Sequence, residues 1–301
     1  MAFLYLKVEH KNENYSDIYP PFAKKKRLKV GTFKVTLNGF KLGERFMKIV
    51  FDNALRFRVD EIYVTIFNKR LEQQRLINLL EDYGFKKYGY KISDSGKELV
   101  YVRDFSNKAD LEFPKLTYPY ISVKGNIFIV PIYPEYHTNL FPDSILNTES
   151  PGNFVENEPF RNAISKVYIS RSIERDLVPG DIIIFYRTGG RYRSVVTTIG
   201  VVENIVTAIK DEKQFINLCK KRSVFSDSEL LKQWNYSKSK PFIVNFLYTY
   251  SFPRRINLDK LIQLGVIKDI ESAPRGFTKI SKQMFYKIIR EAQADESIIV
   301  D

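Results

Sequence analysis

Two patterns in this sequence place residue types where they can do chemistry. The first is a glycine-bearing turn, Leu37-Asn38-Gly39-Phe40-Lys41-Leu42-Gly43, followed by Glu44 and Arg45. It follows an apolar, β-branched stretch at 28–36 and precedes an amphipathic one at 42–57. In the latter, Leu42, Phe46, Ile49, Val50, Ala54 and Phe57 recur at steps of three and four, the spacing of one helix face. A strand that passes through glycines into a helix N-terminus is a phosphate-binding arrangement. The first helical turn has N–H groups with no internal partner, and the aligned peptide dipoles favour an anion there. The same residues also read as an ordinary strand–helix turn. A basic run, Lys24-Lys25-Lys26-Arg27 with Lys29, leads into the strand and supplies cations near the turn.

The second pattern interleaves arginine with aromatic rings: Phe185-Tyr186-Arg187, Arg191-Tyr192-Arg193 and Arg275-Gly276-Phe277, with Trp234 beside Tyr236. Arginine contacts phosphate while an aromatic face accepts a stacked base. Packing is the competing reading for two of these residues. Tyr186 continues an apolar strand, and Trp234 stands at a helix end. Arg187, Arg191 and Arg193 flank a Gly189-Gly190 turn, where a short polar loop offers them nothing to bury against.

Composition bounds both readings. The chain has 301 residues, 44% hydrophobic and 14% aromatic, which fits one to three domains with two as the central value. The formal net charge is +13, a surplus that attracts polyanions. A single cysteine, Cys219, excludes an internal disulfide framework and a thiolate metal cluster. Two histidines, His10 and His137, argue against a His-rich metal centre, so no metal is expected. No apolar run approaches the roughly 20 residues of a membrane span. The N-terminus lacks the layout of a signal peptide. A soluble cytoplasmic protein without a membrane partner is the expectation.

In the N-terminal part, strands are predicted at 2–8, 28–36, 60–67, 88–92 and 98–105, and helices at 42–57 and 72–83. A loop spans 12–23, Gly84 caps the second helix, and Ser95-Gly96 turns a hairpin. This β-β-α-β-α-β-β order resembles the GNAT acetyltransferase superfamily. The family's Arg/Gln-x-x-Gly-x-Gly/Ala loop falls on Asn38-x-x-Lys41-x-Gly43, and its Gly-Phe on Gly84-Phe85. The resemblance implies acetyl-CoA as cofactor, with its pyrophosphate at Asn38, Gly39, Phe40, Lys41, Leu42, Gly43, Glu44 and Arg45. It also implies a backbone N–H around Phe33 to Val35 that polarises the thioester carbonyl. The pantetheine arm would pass between strand 61–67 and the helix that holds Gln73. The sequence departs from the family at several points. Asn38 replaces Arg or Gln, Lys41 replaces the first glycine, and Leu80 stands where a general-acid tyrosine often does. The strand before the loop carries no Asp or Glu. The remaining acids are Tyr83, Tyr88 and Tyr90, and the remaining base is Glu9.

A proline-bearing stretch at 106–120 separates the two parts. Beyond it, strands are predicted at 125–132, 166–170, 182–186, 194–204 and 241–252, helices at 158–165, 211–221, 227–234, 258–264 and 281–292, and a long binding loop or lid at 134–153. The stretches LVPGDIIIFYRT, TTIGVVENI, FIVNFLYTY and PRGFTKISKQMFYKII resemble the PUA-like group that includes ASCH and EVE/YTH-type domains. That resemblance implies a small closed β-barrel flanked by helices, often RNA-binding, sometimes with a modified base in an aromatic pocket. The site residues implied here are Tyr186, Arg187, Arg191, Arg193, Trp234 and Arg275.

The expected fold class is therefore α+β. A GNAT-like mixed sheet with flanking helices spans 1–112, and a PUA-like β-barrel with helices spans 118–295. The expected function is an acetyl-CoA-binding N-acetyltransferase coupled to an RNA-binding module. The alternative is a non-catalytic RNA- or DNA-binding protein with a vestigial acetyltransferase domain. A toxin or defence component is a third reading, suggested by the domain combination alone.

Overall fold

The computed structural model describes residues 2–36, 39–106, 108–146, 158–236 and 239–300. The chain forms two compact units, one of residues 1–108 and 115–118, the other of 109–114 and 119–301. Each is a mixed α+β structure built on one six-stranded sheet.

The first unit runs β1 (Ala2–Glu9), β2 (Ile18–Tyr19), β3 (Arg27–Val35), α1 (Leu42–Phe57), β4 (Glu61–Ile66), α2 (Leu71–Asp82), β5 (Lys86–Ser93) and β6 (Gly96–Asp104). Its sheet order is β1-β3-β4-β6-β5-β2. β3 and β4 are parallel, as a strand–helix–strand crossover requires, and the other neighbours are antiparallel. The buried apolar face of α1 is Met47, Val50, Phe51 and Ala54; of the predicted stripe, Val50 and Ala54 lie on that face, Leu42, Phe46 and Ile49 are half-buried, and Phe57 is exposed. α2 ends at Gly84, whose φ of 78° is the left-handed conformation that lets Phe85 N–H bond back to Leu80 O at 3.1 Å. The predicted loop at 12–23 contains the two-residue strand β2, which pairs with β5 through Tyr19 and Tyr90.

The second unit runs β7 (Ile127–Ile132), α3 (Pro134–Leu140), α4 (Pro159–Asn162), β8 (Ser165–Ser170), β9 (Ile182–Arg187), β10 (Val195–Val206), α5 (Glu212–Cys219), α6 (Asp227–Asn235), β11 (Phe242–Asn257), α7 (Leu258–Gln263), β12 (Thr278–Lys279) and α8 (Lys282–Glu291). Its strand order is β12-β7-β9-β10-β11-β8, with only β7 and β9 parallel. The closed barrel expected from the sequence is an open ladder here. β12 and β8 are its edges, with no pairing between them among the described residues. The core is aromatic: Phe185 meets Phe246 at 4.8 Å and Phe141 at 4.6 Å between ring centroids. Truncating one of these rings to alanine removes about 3–5 kcal/mol of transfer and cavity energy.

Part of the stretch predicted as a long loop at 134–153 is helix α3. Pro134 occupies its first turn, where the missing N–H costs nothing. His137 in that helix is fully buried, with Nε2 2.7 Å from Thr197 Oγ1. Residues 147–153 of the predicted lid lie outside the described residues.

Candidate functional site

In the first unit the β3–β4 ladder pairs Arg27–Val30 with Glu61–Val64 and stops there. Both strands continue, β3 to Val35 and β4 to Ile66. The divergence begins at Gly31. The β1–β3 register jumps from Leu6↔Val30 to Tyr5↔Thr32, so Gly31 is an extra residue, a β-bulge that turns β3 away. A Cβ at Gly31 would come within 2.7 Å of the Tyr5 ring, so the bulge fits only glycine without rearrangement. Between the parted strands lies a cleft of about 240 Å³, lined among others by Gly31, Phe33, Thr65, Gln73, Leu76 and Glu98. Its walls are strand edges beyond the end of their ladder, a setting that accepts an extended, amide-bearing chain.

The glycine-bearing turn leads from this cleft to α1. Gly39 has a φ of 92°, and Lys41, the N-cap, is left-handed at φ 56°. Asn38 lies outside the described residues. Phe33 packs its ring 5.4 Å from Phe46, Val35 ends β3, and Phe40 is exposed. Leu42 and Arg45 are half-buried in the first helical turn. Lys41 Nζ sits 3.0 Å from Glu44, whose carboxylate is buried at that same N-terminus. Glu44 therefore already complements the helix dipole and the one lysine in the turn. An incoming phosphate would compete with it. Gly43 has a packing role: a Cβ there would approach Leu79 Cδ2 of α2 to 3.0 Å.

The four residues expected to move protons have other contacts. Tyr83 is fully buried, with its ring 6.0 Å from Phe51 and 5.8 Å from Tyr118, and it does not line the cleft. Tyr88 donates its hydroxyl to Pro21 O at 2.9 Å and packs on Phe22. Glu9 is buried, accepts from Tyr15 at 3.0 Å and Tyr63 at 2.7 Å, and pairs with Lys7 at 3.3 Å. Burial, reinforced by Glu9, raises the Tyr63 hydroxyl far above its ordinary value, and burial lifts Tyr15 to about 12. Both stay protonated donors, and Glu9 is the acceptor they hold in place. Tyr90 is stacked on Tyr19.

In the second unit the predicted nucleic-acid residues separate. Tyr186 is buried in β9, so its ring supports the core and cannot receive a base. Arg187, Arg191 and Arg193 gather at the C-terminal end of β9. Arg191 is bound through Nε (2.9 Å) and Nη2 (2.7 Å) to Asp259, which neutralises it; Arg193 and Tyr192 are exposed. Trp234 lies in α6, and Arg275 precedes β12. Trp234 packs 5.5 Å from Phe215, so the packing reading holds for its inner face.

Beside Trp234, two linkers meet. The β8–β9 linker begins with Arg171, and the α6–β11 linker carries Tyr236 and Lys240. Ser170 at the end of β8 pairs with Phe242 at the start of β11, which brings the linkers together. The Arg171 guanidinium lies 4.7 Å from the Tyr236 centroid, Arg175 lies 4.9 Å from Phe242, and Lys240 Nζ lies 4.1 Å from Trp234. Arg171 also donates to Ser239 O at 3.2 Å and to both the carbonyl and side chain of Gln233. The segment with Arg275 joins through Ser172, whose hydroxyl accepts from Phe277 N–H at 3.4 Å. Tyr236 and Arg275 are exposed, and Ile173 projects fully into solvent between Arg171 and Arg175. Glu174, Asp176 and the buried Asp181 are the acidic residues on the same linker. The result is a basic surface with aromatic rings fixed in it. Of the residues on this surface, the sequence singled out Trp234 and Arg275 and not Arg171, Arg175 or Lys240. The available signal was the four-residue spacing of Arg171 and Arg175 after an apolar strand.

Among the described residues there is no cluster of three His, Cys, Asp or Glu side chains able to hold a metal, and no helix long and apolar enough to cross a membrane. No family model matches the chain, and no curated protein matches it in sequence. Among solved structures it is similar to the ASCH protein ZmASCH from Zymomonas mobilis, at 15% identity and a TM-score of 0.40 over 55% of this chain and 94% of that one. It is also similar to human THYN1, solved in complex with 5-methylcytosine-containing DNA, at 10% identity and a TM-score of 0.31 over 56% of this chain and 99% of that one.

Proposed function

We propose that the protein binds nucleic acid through the surface formed by Arg171, Arg175, Tyr236, Lys240 and Arg275, with Trp234 beneath it, and that it does so without acetyl-transfer chemistry. The observation that carries this is the meeting of the two linkers: cations held by or beside aromatic rings, on a chain of net charge +13. Guanidinium and ammonium groups neutralise phosphate, and the exposed Tyr236 ring offers a face to an unstacked base. An unstacked base is available in single strands, loops and ends, so a single strand is the favoured form. Titration of a fluorescent single-stranded oligonucleotide, followed by anisotropy, tests this. Saturable binding that weakens with salt and with Arg175→Ala plus Arg275→Ala is the expected result. Affinity indifferent to both changes rejects the surface.

The open cleft in the first unit favours a second reading, an acetyl-CoA site. The parted edges of β3 and β4 suit a pantetheine arm, and the Gly39–Arg45 turn lies at the end of β3 where the pyrophosphate would be. The Lys41–Glu44 pair and the carboxylates of Glu72 and Glu98 at the cleft oppose a strongly anionic ligand, so binding is expected to be weak. Calorimetric titration with acetyl-CoA tests it, with Leu76→Trp as the variant that fills the cleft. Heat of binding lost in Leu76→Trp supports the site, and no heat from the unaltered protein removes it.

A further inference from the structure

The geometry points to a second nucleic-acid contact, a base-stacking platform on the first unit at the β2–β5 edge, formed by Tyr19, Tyr90 and Lys97. It extends the proposed function and depends on that reading for its class of ligand.

Tyr19 is 60% exposed although it lies within a sheet. Its ring is stacked on Tyr90 at 5.8 Å with an interplanar angle of 20°, and Lys97 Nζ is 3.9 Å from the Tyr90 centroid. The stack is held from below by backbone. β2 is only two residues long, yet Ile18 is buried at its start and Tyr19 pairs with Tyr90 in the ladder. Gly89 lets β2 come this close, since a Cβ there would fall 1.9 Å from Tyr19 O. The sequence thus gives up a side chain in the middle of β5 to seat an aromatic ring that remains mostly in water. An apolar surface of this size, fixed but uncovered, is what a stacking partner uses, because the ring's conformational entropy is already lost.

The charge around the platform selects the partner. Lys86, Lys87 and Lys97 are exposed on β5 and β6, while Lys91 is paired with Asp17 at 3.0 Å. Glu98 and Asp94 are the other acidic groups nearby. The β-bulge between Lys87 and Gly89 puts Lys87 on Tyr90's face, about 10 Å along the strand. A planar, π-bearing ligand with phosphates trailing along β5 meets both features; a neutral aromatic ligand would use the ring and leave the lysines idle. Exposed Ile92 continues the apolar surface beyond Tyr90.

The test uses the full chain and a single-stranded oligonucleotide carrying 5-iodouridine, which crosslinks on irradiation to a stacked aromatic ring. Crosslinks mapped by mass spectrometry should fall on Tyr19. In a background that disables the second unit's surface (Arg175→Ala, Lys240→Ala and Arg275→Ala), Tyr19→Ala should weaken the residual binding about tenfold, and Tyr19→Phe should leave it unchanged. Tyr19 is exposed, so circular dichroism should be the same for both variants. An oligonucleotide that binds the unaltered protein without crosslinking to Tyr19, and equally well after Tyr19→Ala, overturns the platform and leaves the second unit's surface standing. A change in sedimentation of the protein alone on Tyr19→Ala, with oligonucleotide affinity intact, assigns the edge to self-association and also overturns it. Absence of any oligonucleotide binding rejects both sites.

Discussion

Arg171→Lys separates a guanidinium that organises the second unit's surface from one that only adds charge. Lysine keeps the positive charge and most of the reach. It loses the planar fork that bonds Ser239 O, Gln233 O and the Gln233 side chain together, and it loses the broad contact with Tyr236. A charge-assisted hydrogen bond is worth about 1.5–3 kcal/mol when buried. Arg171 is half-buried, and burial lowers its pKa, so the lower end applies. A point-like ammonium replaces one of these bonds well. Losing the other two, with a cation–π contact of about 0.5–1 kcal/mol, gives a destabilisation of roughly 2–3 kcal/mol after allowance for solvent. Trp234, the only tryptophan, follows Gln233 in α6 and reports directly on this region. Urea unfolding followed by its emission should show the midpoint falling with an unchanged slope. Oligonucleotide affinity should drop as well, although the formal charge is the same, because Tyr236 loses its support. A destabilisation below about 0.5 kcal/mol with unchanged affinity would refute the idea that Arg171 builds the surface.

Three further outcomes follow from the same contacts. Gly43→Ala replaces a glycine in the first turn of α1, gaining up to about 1 kcal/mol of helix propensity against a 3.0 Å approach to a half-buried Leu79 that can shift; thermal melting should show a change within about 1 kcal/mol, and a loss above 3 kcal/mol would contradict the packing assignment. Ser226 N–H and Oγ hold the Glu229 carboxyl below its ordinary value of 4.5, so this α6 cap stabilises above about pH 4.5 and its contribution is lost as pH falls through the lowered folded value. Glu229→Gln should therefore destabilise at pH 7 by about 0.5–1 kcal/mol and approach the unaltered protein near pH 3, whereas a difference that grows on acidification would reverse the sign. Tyr186→Phe should leave oligonucleotide affinity within about twofold, since the ring is buried in β9; a tenfold loss would restore it to the interface.

Much of this fold is written in local periodicity. The helical period of α1 corresponds to a buried face because one side of the helix meets a core, and the apolar run of β4 marks a strand covered on both faces. Gly84 was legible as a helix cap because few other residues adopt its conformation at no cost. Features set by distant partners were not legible. β2 is two residues long and exists only because Gly89 admits it. Whether the second sheet closes is decided by its edge strands β8 and β12, and β12 is also two residues long. At the site, the arginine–aromatic doublets identified a composition and not a location. Tyr186 and Arg187 are adjacent in sequence, yet the first faces the core and the second ends the strand. Arg171 and Tyr236 are 65 positions apart and meet only because β8 pairs with β11. The glycine-bearing turn was legible as a motif, but the Lys41–Glu44 pair at the helix start appears only when the helix is built.

The central claim is that the second unit's basic–aromatic surface holds nucleic acid. Its most direct test is the salt dependence of oligonucleotide affinity in the unaltered protein and in Arg175→Ala/Lys240→Ala/Arg275→Ala. Three cations on phosphates of a single strand contribute about −2 to the slope of log affinity against log salt. The triple variant should bind at least about tenfold more weakly at 100 mM salt, with its slope shallower by about that amount. Equal affinity and equal slope in the two proteins would contradict the account.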